Sequence, residues 1–402
     1  MKPIKISLLI AAISCDSNFT FAQTWTQTTS AINLYSVASS VDGTKLVGAA
    51  NNGFIYTSTN SGITWMATSA PSTNWFDVAS SADGTKLVTV VGGLNSSAPH
   101  GGIYTSTNSG NTWMLTDAPS TNWFAVASSA DGTKLVAVVG GFGASPGGIY
   151  TSTNTGASWT QSGAPNLSWS GVASSADGTK LVAVSLGDPF NSSAGVYTST
   201  DSGITWIFEG YNASWISIAS SADGNKLVAC TAAGTGNGQV YVSTDSGATW
   251  ASTSAGSEYW QSVASSADGT KLAAVGDFNG SLHQVQIYTS TNSGSTWTPS
   301  GPISSWNSVA SSADGNKLAA VGAGVWISQS IPTPQLNIAS SSNLTLSWMV
   351  PSTNFVMQQN SDLTTTNWIN VTNAPVFNLT NLQNQVFLPL PVSNSFYRLK
   401  TP

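Results

Sequence analysis

The sequence is poor in charge and holds very little cysteine, histidine or arginine. Only 7% of its 402 residues are charged, two are cysteines, two are histidines, and Arg398 is the single arginine. The formal net charge of −6 leaves no basic surface for a phosphate backbone, so we expect no nucleic-acid partner. No zinc-ligand cluster, Gly-rich phosphate loop or Ser–His–Asp arrangement is visible in the sequence, so we expect no metal and no cofactor.

Long apolar runs are also missing beyond the N-terminus. There, Lys2 and Lys5 flank the start of a short apolar stretch, and Thr20–Ala22 offers small residues for cleavage. Residues 1–22 are therefore predicted to be a secretory signal peptide. The mature chain is then expected to be secreted, either extracellular or periplasmic, without a membrane span.

The two cysteines lead to different expectations. Cys15 follows Ala-Ile-Ser, which loosely resembles a bacterial lipoprotein box, so a lipid-anchored cell-surface protein is the alternative to cleavage near Ala22. Cys230 stands where a repeated strand otherwise carries valine. We expect it to be a small buried residue and not a reactive thiol. Because Cys15 leaves with the signal peptide, no intrachain disulfide is expected.

One segment of the sequence recurs seven times. It reads Trp-x-x-Val-Ala-Ser-Ser-Ala-Asp-Gly-Thr-Lys-Leu-Val-Ala-Val with small changes. Its first aliphatic position recurs every 41 to 48 residues, at Val37, Val78, Val126, Val172, Ile218, Val263 and Val309. A period of this length is typical of stacked or radially arranged units.

Each copy carries four short strand-like runs separated by turn residues. In the second copy these runs are 76–80, 86–91, 103–107 and 112–115. They are rich in β-branched and aromatic residues, and no amphipathic helical period appears in the array. Four strands per repeat predict an all-β protein with a seven-bladed β-propeller over residues 23–329.

The seventh copy lacks its fourth strand. Thr24–Gln27 precedes the first copy and supplies the missing sequence, so we predict that this N-terminal strand closes the ring and removes both free edges. Residues 330–335 are predicted to be a short stiff linker. Residues 336–402 are predicted to form a small β-sandwich domain, which loosely resembles a C-terminal module of exported repeat proteins.

Six repeats continue into Ser-Thr-Asn-Ser-Gly-x-Thr-Trp or a close variant. The copies are Ser58–Trp65, Ser106–Trp113, Ser152–Trp159, Ser199–Trp206, Ser243–Trp250 and Ser290–Trp297. They resemble the Asp-box, or bacterial neuraminidase repeat, although the acidic position is aspartate only at Asp201 and Asp245. The resemblance implies a structural turn that glycine completes in a left-handed conformation and tryptophan anchors. The blade sequence also resembles the propellers of photosystem II assembly factors, which bind other proteins, but their basic patch is absent here.

Each repeat also carries Asp-Gly between its first two strands, followed three residues after the aspartate by lysine. We expect hairpin turns in which both residues of Asp-Gly take positive φ. The lysines are Lys45, Lys86, Lys134, Lys180, Lys226, Lys271 and Lys317. They form either a charged ring for a partner or solvated turn residues that contribute little, and the second interpretation is favoured.

Antiparallel strands place the two repeated turns at one end of every blade and the diverse connections at the other end. Binding residues are usually carried by variable loops on a rigid scaffold. The aromatic residues that open the first strands lie at the variable end and are candidate ligand contacts: Tyr35, Trp75, Trp123, Trp169, Trp215, Trp260 and Trp306. If exposed, they would stack on sugars or apolar side chains. Alternatively, each tryptophan wedges between neighbouring blades.

Catalysis is not expected. The resemblance to sialidases implies an arginine cluster for the sialate carboxylate, and Arg398 lies outside the predicted propeller. The alternative is a glycoside hydrolase of another type, with a carboxylate pair drawn from Asp188, Glu209, Glu258 and Asp277. We predict an exported, monomeric, non-catalytic binding or scaffolding protein that recognises a glycan or a protein through its variable loops.

Overall fold

The computed structural model describes residues 24–92, 101–141, 146–186, 194–232, 238–276 and 286–329, followed by 337–340, 343–349, 356–362, 364–378, 383–391 and 395–400. Every regular element in these ranges is a β-strand, so the all-β prediction is confirmed. The chain divides into two compact units, of which one is Gln23–Gln329 and the other contains Ser330–Pro402.

The described part of the first unit forms seven four-stranded antiparallel sheets, which we call blades 1–7. Their first strands are β2 (Ser36–Ser39), β6 (Trp75–Ser80), β10 (Trp123–Ser128), β14 (Trp169–Ser174), β18 (Trp215–Ser220), β22 (Trp260–Ser265) and β26 (Trp306–Ser311). Their second strands are β3 (Leu46–Ala49), β7 (Leu87–Val91), β11 (Leu135–Val139), β15 (Leu181–Ser185), β19 (Leu227–Thr231), β23 (Leu272–Gly276) and β27 (Lys317–Gly322). Their third strands are β4 (Ile55–Ser58), β8 (Ile103–Ser106), β12 (Ile149–Ser152), β16 (Val196–Ser199), β20 (Val240–Ser243), β24 (Tyr288–Ser290) and β28 (Gly324–Gln329). Their fourth strands are β5 (Met66–Ala67), β9 (Met114–Leu115), β13 (Thr160–Gln161), β17 (Ile207–Gly210), β21 (Ala251–Ser252), β25 (Thr298–Pro299) and, in blade 7, β1 (Thr24–Thr29).

The first strands of neighbouring blades contact one another in a closed circle, from β2 through β6, β10, β14, β18, β22 and β26 back to β2. They therefore surround the axis, and the fourth strands lie outermost. In blade 7 the outermost strand is the N-terminal one, because Thr24 and Trp25 of β1 pair with Gln329 and Ser328 of β28. A circular array of four-stranded sheets is the architecture of a β-propeller.

The core of this unit lies between its blades. Trp75 at the start of β6 packs against Val47, Ala49 and Ile55 of blade 1, and Trp306 packs in the same way against blade 6. An indole in this position removes a large apolar surface from water. Blade-to-blade adhesion is therefore carried by apolar wedges that come from the first strands.

A closed circle of backbone hydrogen bonds joins the blades at the turn between their first and second strands. The residue before each Asp-Gly donates its N–H to the C=O of its counterpart in the next blade. The N···O distances are 2.7–2.8 Å, in the order Val41, Ala82, Ala130, Ala176, Ala222, Ala267, Ala313 and back to Val41. Each of these residues is both a donor and an acceptor, so the circle has no open position.

The Asp-Gly turns differ from the prediction in one respect. Gly43 has φ of +66° and its six counterparts are also left-handed, but among the described residues no aspartate has a positive φ. The Gly43 N–H bonds the Ser40 C=O at 3.0 Å, and Asp42 Oδ1 accepts the Thr44 N–H at 3.0 Å. The carboxylate thus holds the backbone of the turn, which leaves one left-handed residue where two were expected.

The second unit holds β29 (Asn337–Ser340), β30 (Leu344–Met349), β31 (Val356–Asn360), β32 (Ile369–Asn370), β33 (Val376–Asn378), β34 (Gln383–Leu388) and β35 (Phe396–Lys400). These strands form one sheet in the order β29–β30–β34–β33 and another in the order β32–β31–β35. Leu346, Met357 and Val386 come from both sheets and share one buried cluster. Arg398 lies 4.3 Å from the ring centroid of Trp368, so the single arginine packs within this unit.

Candidate functional site

The two ends of the propeller are built differently. At one end the two turns of a blade bond to each other: the Ser61 N–H donates to the Thr44 C=O at 2.8 Å, and blades 2–6 repeat this bond. At the other end the loop between the second and third strands bonds to the connection that leads to the next blade, as in the pairing of Gly53 with Thr73. We call these ends the repeat face and the variable face. The predicted separation of repeated turns from diverse connections is confirmed.

On the repeat face, each lysine reaches across to the next blade. Lys86 Nζ donates to the C=O of Asp131 at 2.8 Å. The lysine methylenes lie over Gly132, where an added Cβ would come 2.7 Å from Lys86 Cβ, and every blade repeats this contact with the next turn glycine. The lysines are half-buried. They form neither a free charged ring nor simple solvated turns, because they fasten neighbouring blades.

Four aspartates of the repeat-face turns are held in their ionised form. Hydrogen bonds from the Ser129 hydroxyl and from Thr133 lower the pKa of Asp131 to about 2. The same bonds lower the pKa values of Asp83, Asp177 and Asp268 to about 2. These carboxylates therefore serve as internal acceptors of the turns.

The Ser–Trp turns between the third and fourth strands are also bonded internally. Ser58 Oγ accepts the Gly62 N–H at 2.9 Å, and Asn60 Oδ1 accepts the Thr64 N–H at 2.9 Å. Trp65 Nε1 donates to the Gly62 C=O at 3.0 Å. Two successive residues are left-handed, Ser61 at φ +56° and Gly62 at +81°, whereas the sequence predicted only the glycine.

The loops of the variable face are described only in part. The segments 93–100, 142–145, 187–193, 233–237 and 277–285 lie outside the described residues. Two of the predicted carboxylates, Asp188 and Asp277, are in these segments, as are His100 and His283.

The six tryptophans predicted to form a ligand ring are not accessible. The exposed fraction is 0% or 1% for each of Trp75, Trp123, Trp169, Trp215, Trp260 and Trp306. Their indoles lie in the clusters between blades, and Trp123 Nε1 donates to the Pro119 C=O at 3.2 Å within the preceding connection. The prediction of an exposed ring is therefore wrong for these residues, and the alternative of a wedge between blades describes them.

Tyr35 is not the counterpart of these tryptophans. In blade 1 the wedge is Leu34, which is 0% exposed and packs with Val321 and Val325 of blade 7. Tyr35 occupies the next position, so the sequence comparison placed it one residue out of register. Leu34 precedes Val37 by three residues, which is the spacing of Trp75 to Val78. The wedge position requires apolar bulk and not an aromatic ring, so leucine can fill it.

The position after the wedge differs between two parts of the ring. Tyr35, Phe76 and Phe124 form a chain of ring contacts across blades 1–3, with centroid distances of 4.5 and 4.6 Å. Tyr35 is half-buried and the two phenylalanines are buried. Blades 4–7 carry Ser170, Ile216, Gln261 and Asn307 at this position, and Gln261 is exposed. The variable-face end of the first strands is therefore aromatic on one side of the axis only.

Asp77 lies beside this aromatic chain and ties three blades together. Its Oδ1 accepts from the Ser36 hydroxyl of blade 1 at 2.7 Å and from the Val78 N–H at 2.9 Å. Its Oδ2 accepts from the Val126 N–H of blade 3 at 2.8 Å. Burial raises the pKa of Asp77 to about 6, while these three hydrogen bonds act in the opposite direction.

Other blades use serine at the position of Asp77. Ser217, Ser262 and Ser308 each accept one backbone N–H from the next blade, at 3.2–3.4 Å. Asp77 thus replaces a single longer bond with three shorter ones. The sequence signal is one charge at a position that otherwise holds serine, alanine or glycine, but Asp77 is not among the predicted site residues.

Glu209 and Glu258, the other two predicted carboxylates, belong to different blades. Glu209 is on the outermost strand of blade 4, where the Thr198 hydroxyl donates to its Oε1 at 2.7 Å. Glu258 is in the connection between blades 5 and 6, where its N–H donates to the Gly238 C=O at 3.2 Å. A glycoside hydrolase needs two carboxyl groups that flank one bond. No described contact brings these two together.

The remaining predictions concern metal, membrane and thiol chemistry. Within the ranges that the structure describes, no group of three His, Cys, Asp or Glu residues is placed to hold a metal ion. In the same ranges, no helix has the length and apolarity needed to cross a membrane. Cys230 is buried in β19, and burial raises the pKa of its thiol to about 12, as expected for a cysteine that packs as a small apolar residue.

Comparisons with known proteins support the fold. No protein-family model matches the chain, and no curated protein matches it. The fold is similar to that of many solved structures, of which three serve as examples. YCF48 bound to D1 peptide has 13% identity and a TM-score of 0.56, covering 77% of this chain and 97% of that chain. Hydrazine synthase of Kuenenia stuttgartiensis has 14% identity and a TM-score of 0.57, covering 74% and 96%. The Cps50 (Swd1) β-propeller domain of Myceliophteria thermophila has 12% identity and a TM-score of 0.54, covering 74% and 97%.

At these identities the likeness establishes the β-propeller fold and no activity. The chain is a repeat protein of the β-propeller class.

Proposed function

We propose that this chain is a non-catalytic, seven-bladed β-propeller that binds another protein through its variable face. One observation carries the proposal. The polar side chains of the repeat face bond to their own turns and to neighbouring blades, whereas the loops and first-strand residues of the variable face differ from blade to blade. The Ser–Trp turns are, in this proposal, Asp-box turns that stiffen the scaffold. A rigid scaffold with diverse loops at one end suits recognition better than chemistry.

A protein ligand is favoured over a glycan because the six tryptophans are buried. Because these tryptophans are buried, most of the flat aromatic surface on which sugars would stack is not accessible. The variable face retains Tyr35, Phe54 and Gln261 as partly or largely exposed side chains. The similarity to a propeller that was solved with a bound peptide also supports a protein ligand.

The proposal keeps the untested expectations from the sequence. Residues 1–22 would be removed on export, and the mature protein would be a secreted monomer. Residues 336–402 would form a β-sandwich domain whose task the proposal does not assign.

Site-specific photo-crosslinking in the producing cells tests the choice of face. A photoreactive residue at Tyr35 or Gln261 is expected to capture the same protein, and excess unlabelled protein should compete that product away. The matched control is Ile63, an exposed residue of a repeat-face turn, from which no such product is expected. Capture of the same product from Ile63 would contradict the proposal.

Soluble polysaccharides distinguish the two alternatives. A change in tryptophan fluorescence without release of reducing sugar would indicate a glycan-binding module. Release of reducing sugar that disappears in Glu209→Gln or Glu258→Gln would indicate a glycoside hydrolase. Either result would overturn the proposal of a non-catalytic protein-binding propeller.

A further inference from the structure

The outermost strand of blade 4 is unlike most other outermost strands. The two residues after the turn tryptophan are Thr160-Gln161, Ala251-Ser252, Thr298-Pro299 and Thr26-Gln27 in blades 3, 5, 6 and 7. In blade 4 they are Ile207, which is 58% exposed, and Phe208, which is 43% exposed. Ile204 in the preceding Ser–Trp turn and Tyr211, the residue after the strand, are exposed as well. Two adjacent exposed apolar side chains on one strand, with two more beside it, are uncommon on a monomer and mark an interaction surface.

This strand also presents a longer edge. β17 has four residues, whereas β5, β9, β13, β21 and β25 have two. A bulge opposite Val196 and Tyr197 extends the pairing to Gly210. In the sheet order β14–β15–β16–β17 the strand is terminal, so its outward N–H and C=O groups have no ladder partner among the described strands. Such an edge is a template for another strand.

The comparison with blades 1, 2 and 7 sets blade 4 apart. Met66, Met114 and Leu115 of blades 1 and 2 are exposed, but their strands have only two residues. β1 of blade 7 has six residues, but its exposed side chains include Thr26 and Gln27. Among the described outermost strands, β17 therefore combines a strand of four residues with exposed apolar side chains.

Charge decides which strand fits this edge. Ile207 pairs with Thr198, whose hydroxyl donates to Glu209 Oε1 at 2.7 Å, so Ile207 and Glu209 lie on one face of the sheet. Phe208 pairs with Tyr197 and lies on the other face. A second copy, paired antiparallel about a two-fold axis, would bring Glu209 close to its own counterpart, and like charges across a strand pair are unfavourable. The net charge of −6 opposes self-association further. The complementary occupant has apolar residues for Ile207 and Phe208 and a basic residue for Glu209.

We propose that β17 docks an extended segment of another protein, in which a basic residue is followed by two apolar residues, as a fifth strand of blade 4. The main-chain bonds give affinity, and the alternating side chains give specificity. The surface lies at the outer rim, apart from the first-strand residues on which the proposed function rests. Either proposal can therefore fail without the other.

A model peptide tests this docking. The probe is a labelled, end-capped Thr-Lys-Val-Val-Thr-Lys-Val-Val, and the readouts are fluorescence anisotropy and amide hydrogen exchange of the full chain. We expect binding and slower exchange at residues 207–210. The double variant Ile207→Thr/Phe208→Gln, which copies blade 3, should bind about tenfold more weakly or worse. The matched double variant Met114→Thr/Leu115→Gln in blade 2 should bind as the parent does.

Two altered peptides separate strand pairing from apolar adsorption. Replacing both lysines by glutamate, or methylating alternate backbone nitrogens, should each weaken binding about tenfold or more. No binding at millimolar peptide, equal loss in both double variants, or no change in exchange at 207–210 would overturn the proposal. So would a dimer, seen by sedimentation, that disappears in Ile207→Thr/Phe208→Gln, because it would assign the edge to a second copy.

Discussion

The repeat face and the variable face are formed by the two ends of the same strands, yet their polar side chains differ in what they bond to. On the repeat face, Asp131, Lys86 and their counterparts bond to turns and to neighbouring blades. On the variable face the loops differ in length and composition, and the bonds between blades in its described part, such as those of Asp77, are not repeated from blade to blade. The comparison shows that the polar contacts between blades are uniform at one end of the scaffold and differ from blade to blade at the other.

Removal of a wedge should have the largest effect. Trp123→Ala is expected to lower the free energy of unfolding by about 3–5 kcal/mol, because it leaves a large cavity between blades 2 and 3. Gln261→Ala, an exposed change on the variable face, should alter it by about 0.5 kcal/mol or less. Urea denaturation measures both. Similar values for the two variants would mean that Trp123 is not a structural wedge.

The charge of Asp77 should produce the next largest effect, and it should depend on pH. The folded-state pKa of about 6 is above the ordinary value of 3.8, so the wild-type protein loses stability relative to Asp77→Asn as the pH rises from about 4 to about 6. Over this pH range the difference in the free energy of unfolding between the two proteins should change by about 3 kcal/mol. A hydrogen bond lost in the variant shifts this difference by the same amount at every pH. Thermal or urea unfolding across this range checks the slope, and a flat difference would contradict the role of burial.

A glycine substitution on the repeat face should have a smaller effect. Gly132 has φ of +67°, and an added Cβ would come 2.7 Å from Lys86 Cβ. Gly132→Ala should therefore cost about 1–3 kcal/mol, from a strained backbone and a displaced lysine. Gly163→Ala is the matched control, since an added Cβ there meets nothing within 4 Å. Calorimetry should show a lower melting temperature for the first variant alone.

The smallest expected effect comes from a single repeat-face carboxylate in acid. Because hydrogen bonds lower the pKa of Asp131 to about 2, its contribution to stability is present above about pH 4 and is lost as the pH falls toward 2. The melting temperature of Asp131→Asn should therefore approach that of the wild type over this interval. The carboxylate is exposed, so added salt should reduce the difference. A constant difference from pH 5 to pH 2 would argue against an ionised acceptor.

Much of the fold was predictable because local signals repeat. Asp-Gly, the Ser–Trp turn and the alternating runs mark the strands of each blade, and antiparallel order then fixes the two faces. The conformation of Ser61 was not predictable, since serine rarely adopts positive φ and the Thr44 carbonyl that accepts its N–H lies in another turn.

The candidate site was harder to predict because its determinants are long-range. An indole such as Trp169 can either stack on a ligand or wedge between sheets, and only the residues of the neighbouring blade decide between these roles. The ring of Tyr35 suggested an equivalence that the packing of Leu34 contradicts. The bond from Val126 to Asp77 joins residues 49 positions apart. The unusual charge of Asp77 is visible in the sequence, but its bonding partners are not.

The hydrogen-bonded circle through Val41 and Ala313 crosses the boundary between blades 7 and 1 as it crosses every other boundary. The covalent break in the ring lies instead inside blade 7, where β1 and β28 are held together by strand pairing. A circularly permuted unit that begins at blade 3 should therefore close with the same contacts between blades. Deleting one whole blade should lower the free energy of unfolding, because one donor and one acceptor of the circle would be left apart.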